Sequence, residues 1–287
     1  MTYTDMFRTR LPAIRFFLGR ALACCAACAC LLFCPVDATA AEQIKVGGTG
    51  CALGSMQLLA EAFNASNPDV TFSFVPNLGS VGSITAMKAG AISLALTSRP
   101  MKEHERRLGL AEVEYARTPF VFAVSAKSKV SAVTRKELAA IYAGTMPKWP
   151  DGTLTRIVLR PASDIDTDMV KSLSPEIARA VADAEKRPGV QVAITDQDAA
   201  DDLERIPGAI GPTTLALIKS EKRTLKALQL DGKEPSARNA ASGAYPYYKR
   251  LFLVSGAQRS PAVERFAAFV ISPAGHKILA DNGHWNP

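Results

Sequence analysis

The chain has 287 residues, 48% of them hydrophobic, which is enough for one large globular domain or two smaller ones. Its formal net charge is +7, but the basic residues form no tract interleaved with aromatics, which excludes a nucleic-acid binder. A mildly basic surface does suit small anions.

Residues 1–40 have the layout of a secretory signal peptide. Arg8, Arg10, Arg15 and Arg20 form a basic leader, residues 21–33 an apolar run, and Ala38-Thr39-Ala40 a small-residue cleavage signal. The run is too short to span a bilayer alone. Five of the six cysteines lie in this leader, so export leaves Cys51 with no partner for an internal disulfide. Phe33 before Cys34 is too bulky for a lipoprotein signal and Ala21-Leu22-Ala23 before Cys24 is marginal, so a free periplasmic protein is expected. The leader's four arginines and two aspartates carry +2 of the +7, leaving +5 on residues 41–287.

From there short β-like runs alternate with helical ones. Strands are expected at 44–47, 70–75, 92–97, 112–116 and 120–125, with helices at 53–64, 83–89, 101–108 and 135–142. Further strands are expected at 156–159, 190–194, 225–230 and 248–254. Helices are expected at 167–173, 175–186, 198–205 and 213–219, and one long amphipathic segment at 261–281. This alternation predicts an α/β architecture with mostly parallel sheets. Arg117-Thr118-Pro119 and the stretch 243–256 read as two crossings between domains, so that one domain is built from both ends of the chain.

Three successive strand ends run into Gly/Ser turns and helices, at Thr49-Gly50-Cys51, at Ser80 with Ser83, and at Thr97-Ser98. Helix starts offer unpaired N–H groups and a positive dipole end, so three of them suit a dehydrated oxyanion; Ser and Thr are also simply common helix caps. A dinucleotide loop is excluded. Gly48-Thr49-Gly50 followed by Gly54 is one residue too long, and the stretch 75–80 lacks the carboxylate that would hold a ribose. His104, His276 and His284 show no metal-ligand spacing. Asp164-x-Asp166-x-Asp168 is not a calcium loop, since Met169 and Pro175 stand where Gly and Glu are required. No metal, cofactor or catalytic residue is expected.

The order of "GGTGCALGSMQLLAEAFNASNPDV", "VPNLGSVGSITAMKAGAISLALTSRPM", "RIPGAIGPTTLALI" and "LFLVSGAQRSPAVERFAAFVISPAGHKIL" resembles the periplasmic phosphate-binding proteins of ABC transporters. The resemblance covers nearly all of residues 41–287 and implies a two-lobed type II periplasmic-binding-protein fold with a hinge of two crossing strands. It places one lobe at 41–118 and 250–287 and the other at 119–249. It further implies a monomer that holds phosphate or a similar anion in a cleft and hands it to an inner-membrane permease; a sensor with another ligand is the alternative. Carried over residue by residue, the ligand set is Thr49, Gly50 and Cys51 at the first turn, Ser80 at the second, Ser98 at the third, and Arg160 with Asp164, Asp166 and Thr167 in the second lobe. The chain departs from the pattern at Cys51, a poorer donor than a hydroxyl. It departs again at Asp164 and Asp166, where the family has Ser-Gly-Thr. These aspartates could cap a helix and point away from the cleft, accept a proton from the ligand, or signal a ligand other than phosphate.

Overall fold

The computed structural model describes residues 41–287. The expected signal peptide lies outside them. The elements in order are β1 (Glu42–Gly48), α1 (Gly50–Asn64), β2 (Val70–Val75), α2 (Gly79–Lys88), β3 (Leu94–Thr97), α3 (Glu103–Arg106), β4 (Ala111–Ser125), β5 (Ala132–Val133), α4 (Arg135–Ala143), β6 (Arg156–Leu159) and α5 (Ile165–Lys171). The chain continues through α6 (Pro175–Ala184), β7 (Gln191–Val192), α7 (Asp196–Arg205), β8 (Ala209–Thr214), α8 (Leu215–Ser220), β9 (Leu225–Ala227), β10 (Gln229–Leu230), α9 (Ala237–Ala241), β11 (Tyr248–Ser255), α10 (Pro261–Val270) and α11 (Pro273–Asp281).

One sheet runs β2-β1-β3-β11-β4-β8-β6-β7, with β9 also on β4. Its flanks are parallel, as the alternation predicts: β1 with β2 and β3, and β6 with β7 and β8. Its centre is antiparallel, because β4 and β11 carry the chain between the two lobes in opposite directions. Arg117-Thr118-Pro119 does not separate two strands; it lies inside the 15-residue β4. Pairing passes there from β11, whose first residue Tyr248 lies opposite Pro119, to β8, whose last residue Thr214 lies opposite Phe120. A proline is tolerated where one ladder gives way to the next because it has no N–H to donate.

Two further corrections concern boundaries. The apolar segment 261–281 is two helices, each started by a serine that caps its first turn, with proline at the first helical position: Ser260-Pro261 and Ser272-Pro273. Central strand β8 has no counterpart among the expected elements, since Gly211 and Pro212 read as a turn. Gly211 is needed where it stands, because an added Cβ would lie 2.9 Å from the Val158 carbonyl oxygen.

Two large apolar clusters hold the sheet faces. One joins Ile44, Met56, Leu59 and Phe63 to Leu203, Leu217 and Phe266, so α1 packs with α7, α8 and α10. Phe63 meets Phe266 edge to face with ring centroids 5.3 Å apart. The other gathers Phe120, Phe122, Leu138, Ile177 and Tyr245. Each such side chain contributes about 1.5–3 kcal/mol on burial. The Tyr245 hydroxyl donates to the Phe120 carbonyl at 2.8 Å, tying the loop before β11 to β4.

Candidate functional site

The carboxyl ends of β1, β2 and β3 open on a cleft of about 350 Å³. Thr49, Gly50, Ser80, Ser98, Arg160 and Asp164 all line it. Cys51, Asp166 and Thr167 do not; they are buried around it.

The first turn is shaped by close approach. At Gly48 an added Cβ would fall 2.0 Å from the Leu96 carbonyl oxygen, the same oxygen that accepts the Thr49 N–H at 2.9 Å. Thr49 stands at the cap position of α1 but its side chain does not cap. Its hydroxyl lies 3.3 Å from the Cys51 sulfur instead. The cap comes from far along the chain: the Cys51 N–H donates to Asp196 Oδ2 at 3.2 Å. Gln197 follows, donating to the Gly50 carbonyl at 3.0 Å and to Glu221 at 2.8 Å. A Cβ on Gly50 would meet the Asp196 Cβ at 2.8 Å, so only glycine lets these helix starts approach each other. The α1 N-terminus therefore does hold an anionic oxygen, and it belongs to the protein. Burial drives the Cys51 thiol up to about 12, so it stays protonated.

At the second and third strand ends the hydroxyls organise one another. Ser80 Oγ accepts the Ser98 N–H at 3.0 Å and lies 3.3 Å from the Ser98 hydroxyl. Ser83 turns inward and donates to the Ser80 carbonyl at 3.0 Å, while Thr97 donates to the Arg99 carbonyl at 2.8 Å. No side chain caps α2 at Leu78, so its first N–H groups remain available beside Ser80. Arg99 is engaged with Glu105 through two bonds of 2.7 and 2.6 Å. These bonds hold the carboxyl well down, at about 2, against the opposing effect of burial.

The second lobe supplies Arg160 from the end of β6. Its guanidinium donates to the Ala193 carbonyl at 3.0 Å and to Asp164 at 2.8 Å, and lies 3.9 Å from Asp196. Its Nε, buried, has no hydrogen-bond partner. Asp164 caps α5 by accepting the Asp166 N–H at 2.9 Å. The capping alternative holds in part: Asp164 is a cap, but it lines the cleft rather than pointing away. Asp166 points inward and forms a buried ion pair with Lys249 of β11. Burial raises its carboxyl to about 6, against the attraction of Lys249. Burial opposes the Lys249 ammonium, yet Asp166 together with Cys51 and Asp196 holds it protonated above its ordinary range. The Thr167 hydroxyl donates to the Arg160 and Pro161 carbonyls at 3.1 and 2.9 Å, bracing the loop that carries Arg160.

Sequence reasoning missed Lys249, Asp196, Gln197 and Asp168 as cleft residues. Lys249 shares its strand parity with buried Leu251 and Leu253, a signal that it faces inward. Thr195-x-x-Asp198 is a reciprocal cap pair that starts α7 at Asp196, two residues before the expected start and directly at the cleft.

The arrangement can bind and orient an anion but shows no nucleophile paired with a base. Comparison with known proteins agrees with a binding fold. The Bacillus subtilis phosphate-binding protein PstS is 24% identical over 256 residues, covering 85% of this chain and 81% of that protein. The Borreliella burgdorferi PstS is 21% identical over 247 residues, covering 84% and 88%. A Clostridium perfringens substrate-binding protein solved with bound phosphate shares the fold at a TM-score of 0.71, with 20% identity over 86% of this chain and all of that one. Residues 35–274 match the family described as a PBP superfamily domain, and the chain belongs to that family.

Proposed function

We propose that this is an exported solute-binding protein that captures phosphate or a similar small oxyanion in the cleft and delivers it to an inner-membrane ABC transporter permease. Residues 41–118 with 250–287 and residues 119–249 act as the two bodies that close on the ligand, turning about β4 and β11. The ligand set is Thr49, Gly50, Ser80, Ser98 and Arg160, with Asp164 holding the guanidinium; Cys51, its N–H taken by Asp196, supports from behind together with Asp166 and Thr167. The carrying observation is that Ser80, Ser98, the uncapped start of α2 and the Arg160 guanidinium all line one cleft. The naming of the PstS relatives as phosphate-binding supports the same ligand class.

The test is melting temperature with phosphate, arsenate and sulfate at millimolar concentration. Ligand at about 100 times its dissociation constant adds about 2.7 kcal/mol. For a domain of this size that raises the melting point by roughly 5–11 °C. No shift with any oxyanion overturns the reading.

A second reading, a ligand other than inorganic phosphate, is favoured by one observation: Asp164, Asp168 and Asp196 all line the cleft. A carboxylate a few ångströms from a dianion repels it by about 2 kcal/mol in water and by more where water is excluded.

A further inference from the structure

The two walls of the cleft differ in chemistry. The wall built from residues 48–102 carries Ser80, Ser98, Lys102 and the uncapped start of α2, and no carboxylate. The opposite wall carries Asp164, Asp168 and Asp196, and its two cations are engaged: Arg160 with Asp164 and the Ala193 carbonyl, Lys249 with Asp166. Asp168 is exposed and forms no ion pair among the described residues. The field across the cleft therefore runs from an anion-accepting wall to a cation-accepting one.

Two further features point to a ligand larger than a tetrahedral ion. The cleft volume of about 350 Å³ falls in the range of roughly 300–1,000 Å³ that takes small organic molecules. Large apolar side chains stand in water at its rim, Val81 on one wall, 62% exposed, and Ile194 on the other, 67% exposed. An inorganic oxyanion gives them nothing to cover. The buried Arg160 Nε, on a residue that lines the same cleft, is left without an acceptor.

We propose that the cleft selects a short amino-organic oxyanion, such as an aminoalkyl phosphonate or phosphate monoester. Its oxyanion sits against Ser80 and Ser98, its carbon chain between Val81 and Ile194, and its ammonium against Asp164 and Asp168. The proposal rests on the reading of the cleft as an oxyanion site and adds to it the body and the second charge of the ligand.

Titration calorimetry with inorganic phosphate, ethylphosphonate and 2-aminoethylphosphonate tests it. The two phosphonates share head and chain and differ only in the amine. The expected result is that 2-aminoethylphosphonate binds about tenfold more tightly than either of the others, equivalent to about 1.4 kcal/mol. Asp168→Asn, a change at an exposed position that leaves the core alone, lowers the ratio between the two phosphonates at least about threefold, in keeping with one exposed ion pair. Phosphate or ethylphosphonate binding as tightly as the amine overturns the proposal and leaves the oxyanion reading standing. An unchanged ratio in the Asp168 variant overturns the placement of the ammonium. Binding of none of the three overturns both readings together.

Discussion

Lys249→Met is the most informative single change in the protein. The lysine and Asp166 each expose 1% of their side chains, and apart from Lys249 neither Asp166 oxygen has a partner among the described residues. Methionine keeps the length and apolar stem of lysine but leaves Asp166 a buried, unpaired carboxylate. Removing one partner of a buried pair costs about 3–5 kcal/mol. At roughly 2–4 °C per kcal/mol for a domain of this size, the melting point should fall by about 6–20 °C at pH 8. The deficit should also depend on pH. Asp166 sits at about 6 with its lysine present, and higher without it, so acidification toward pH 5 supplies the proton that neutralises the orphan carboxylate. The loss should therefore shrink as the pH falls. Adding Asp166→Val, which removes the charge at similar volume, should recover most of the loss, because replacing a buried pair by apolar groups is often close to neutral. Urea unfolding of the parent, both single variants and the double variant at pH 8 and pH 5 measures all of this. A loss below about 1 kcal/mol at pH 8, no recovery at pH 5, or single-variant losses that simply add would refute the account of Lys249 and Asp166 as one buried unit.

Two other predictions concern stability. His284 is buried, and desolvation pulls its imidazole down to about 4 from an ordinary 6.5. The unfolded chain takes up its proton first, so this residue's contribution is complete above pH 6.5 and is lost as the pH falls toward 4. The loss is about 3 kcal/mol from the size of the shift. His284→Asn, which keeps a donor for the Leu279 carbonyl now 3.0 Å from the ring nitrogen, should show a shallower decline in urea unfolding between pH 7 and pH 4; an equal decline would refute the assignment. Gly211→Ala should cost about 1–3 kcal/mol, since its Cβ meets the Val158 carbonyl at 2.9 Å inside the sheet. By contrast Gly82→Ala within α2 meets only the Leu78 Cβ at 3.6 Å and should be neutral or stabilising by up to about 1 kcal/mol. Thermal melts of the two variants compare them directly, and equal effects would refute the close-approach argument.

What could be read from the residues was whatever depends on local pattern. The three strand-turn-helix units at β1, β2 and β3 follow from alternation, glycine turns and apolar helical spacing, and Thr49, Gly50, Ser80 and Ser98 at their ends line the cleft. What could not be read depends on partners distant in the chain. Asp196 caps α1 across 145 residues, and nothing near Thr49 announces that its own hydroxyl will decline the role. The strand parity of Lys249 marks it as inward-facing but says nothing of its partner; Asp166, brought against it by α5, makes its burial tolerable. Strand β8 escaped because Gly211 and Pro212 carry turn chemistry, while the need for glycine at 211 is set by the neighbouring strand β6. The break before Ser272-Pro273 was signalled by the residues themselves, but the apolar period on either side of it masked the signal.

The burial of Cys51 has a practical consequence. It is the one cysteine among the described residues, and its thiol is both enclosed and held protonated, so alkylating reagents find neither access nor thiolate in the native fold. Its backbone is the N–H that Asp196 holds. Any opening that parts α7 from α1 unseats that carboxylate from the turn that carries the sulfur. The chain thus carries a chemical clock buried behind its own cleft, and the rate at which a thiol reagent consumes Cys51 reports how often the packing around α1 opens.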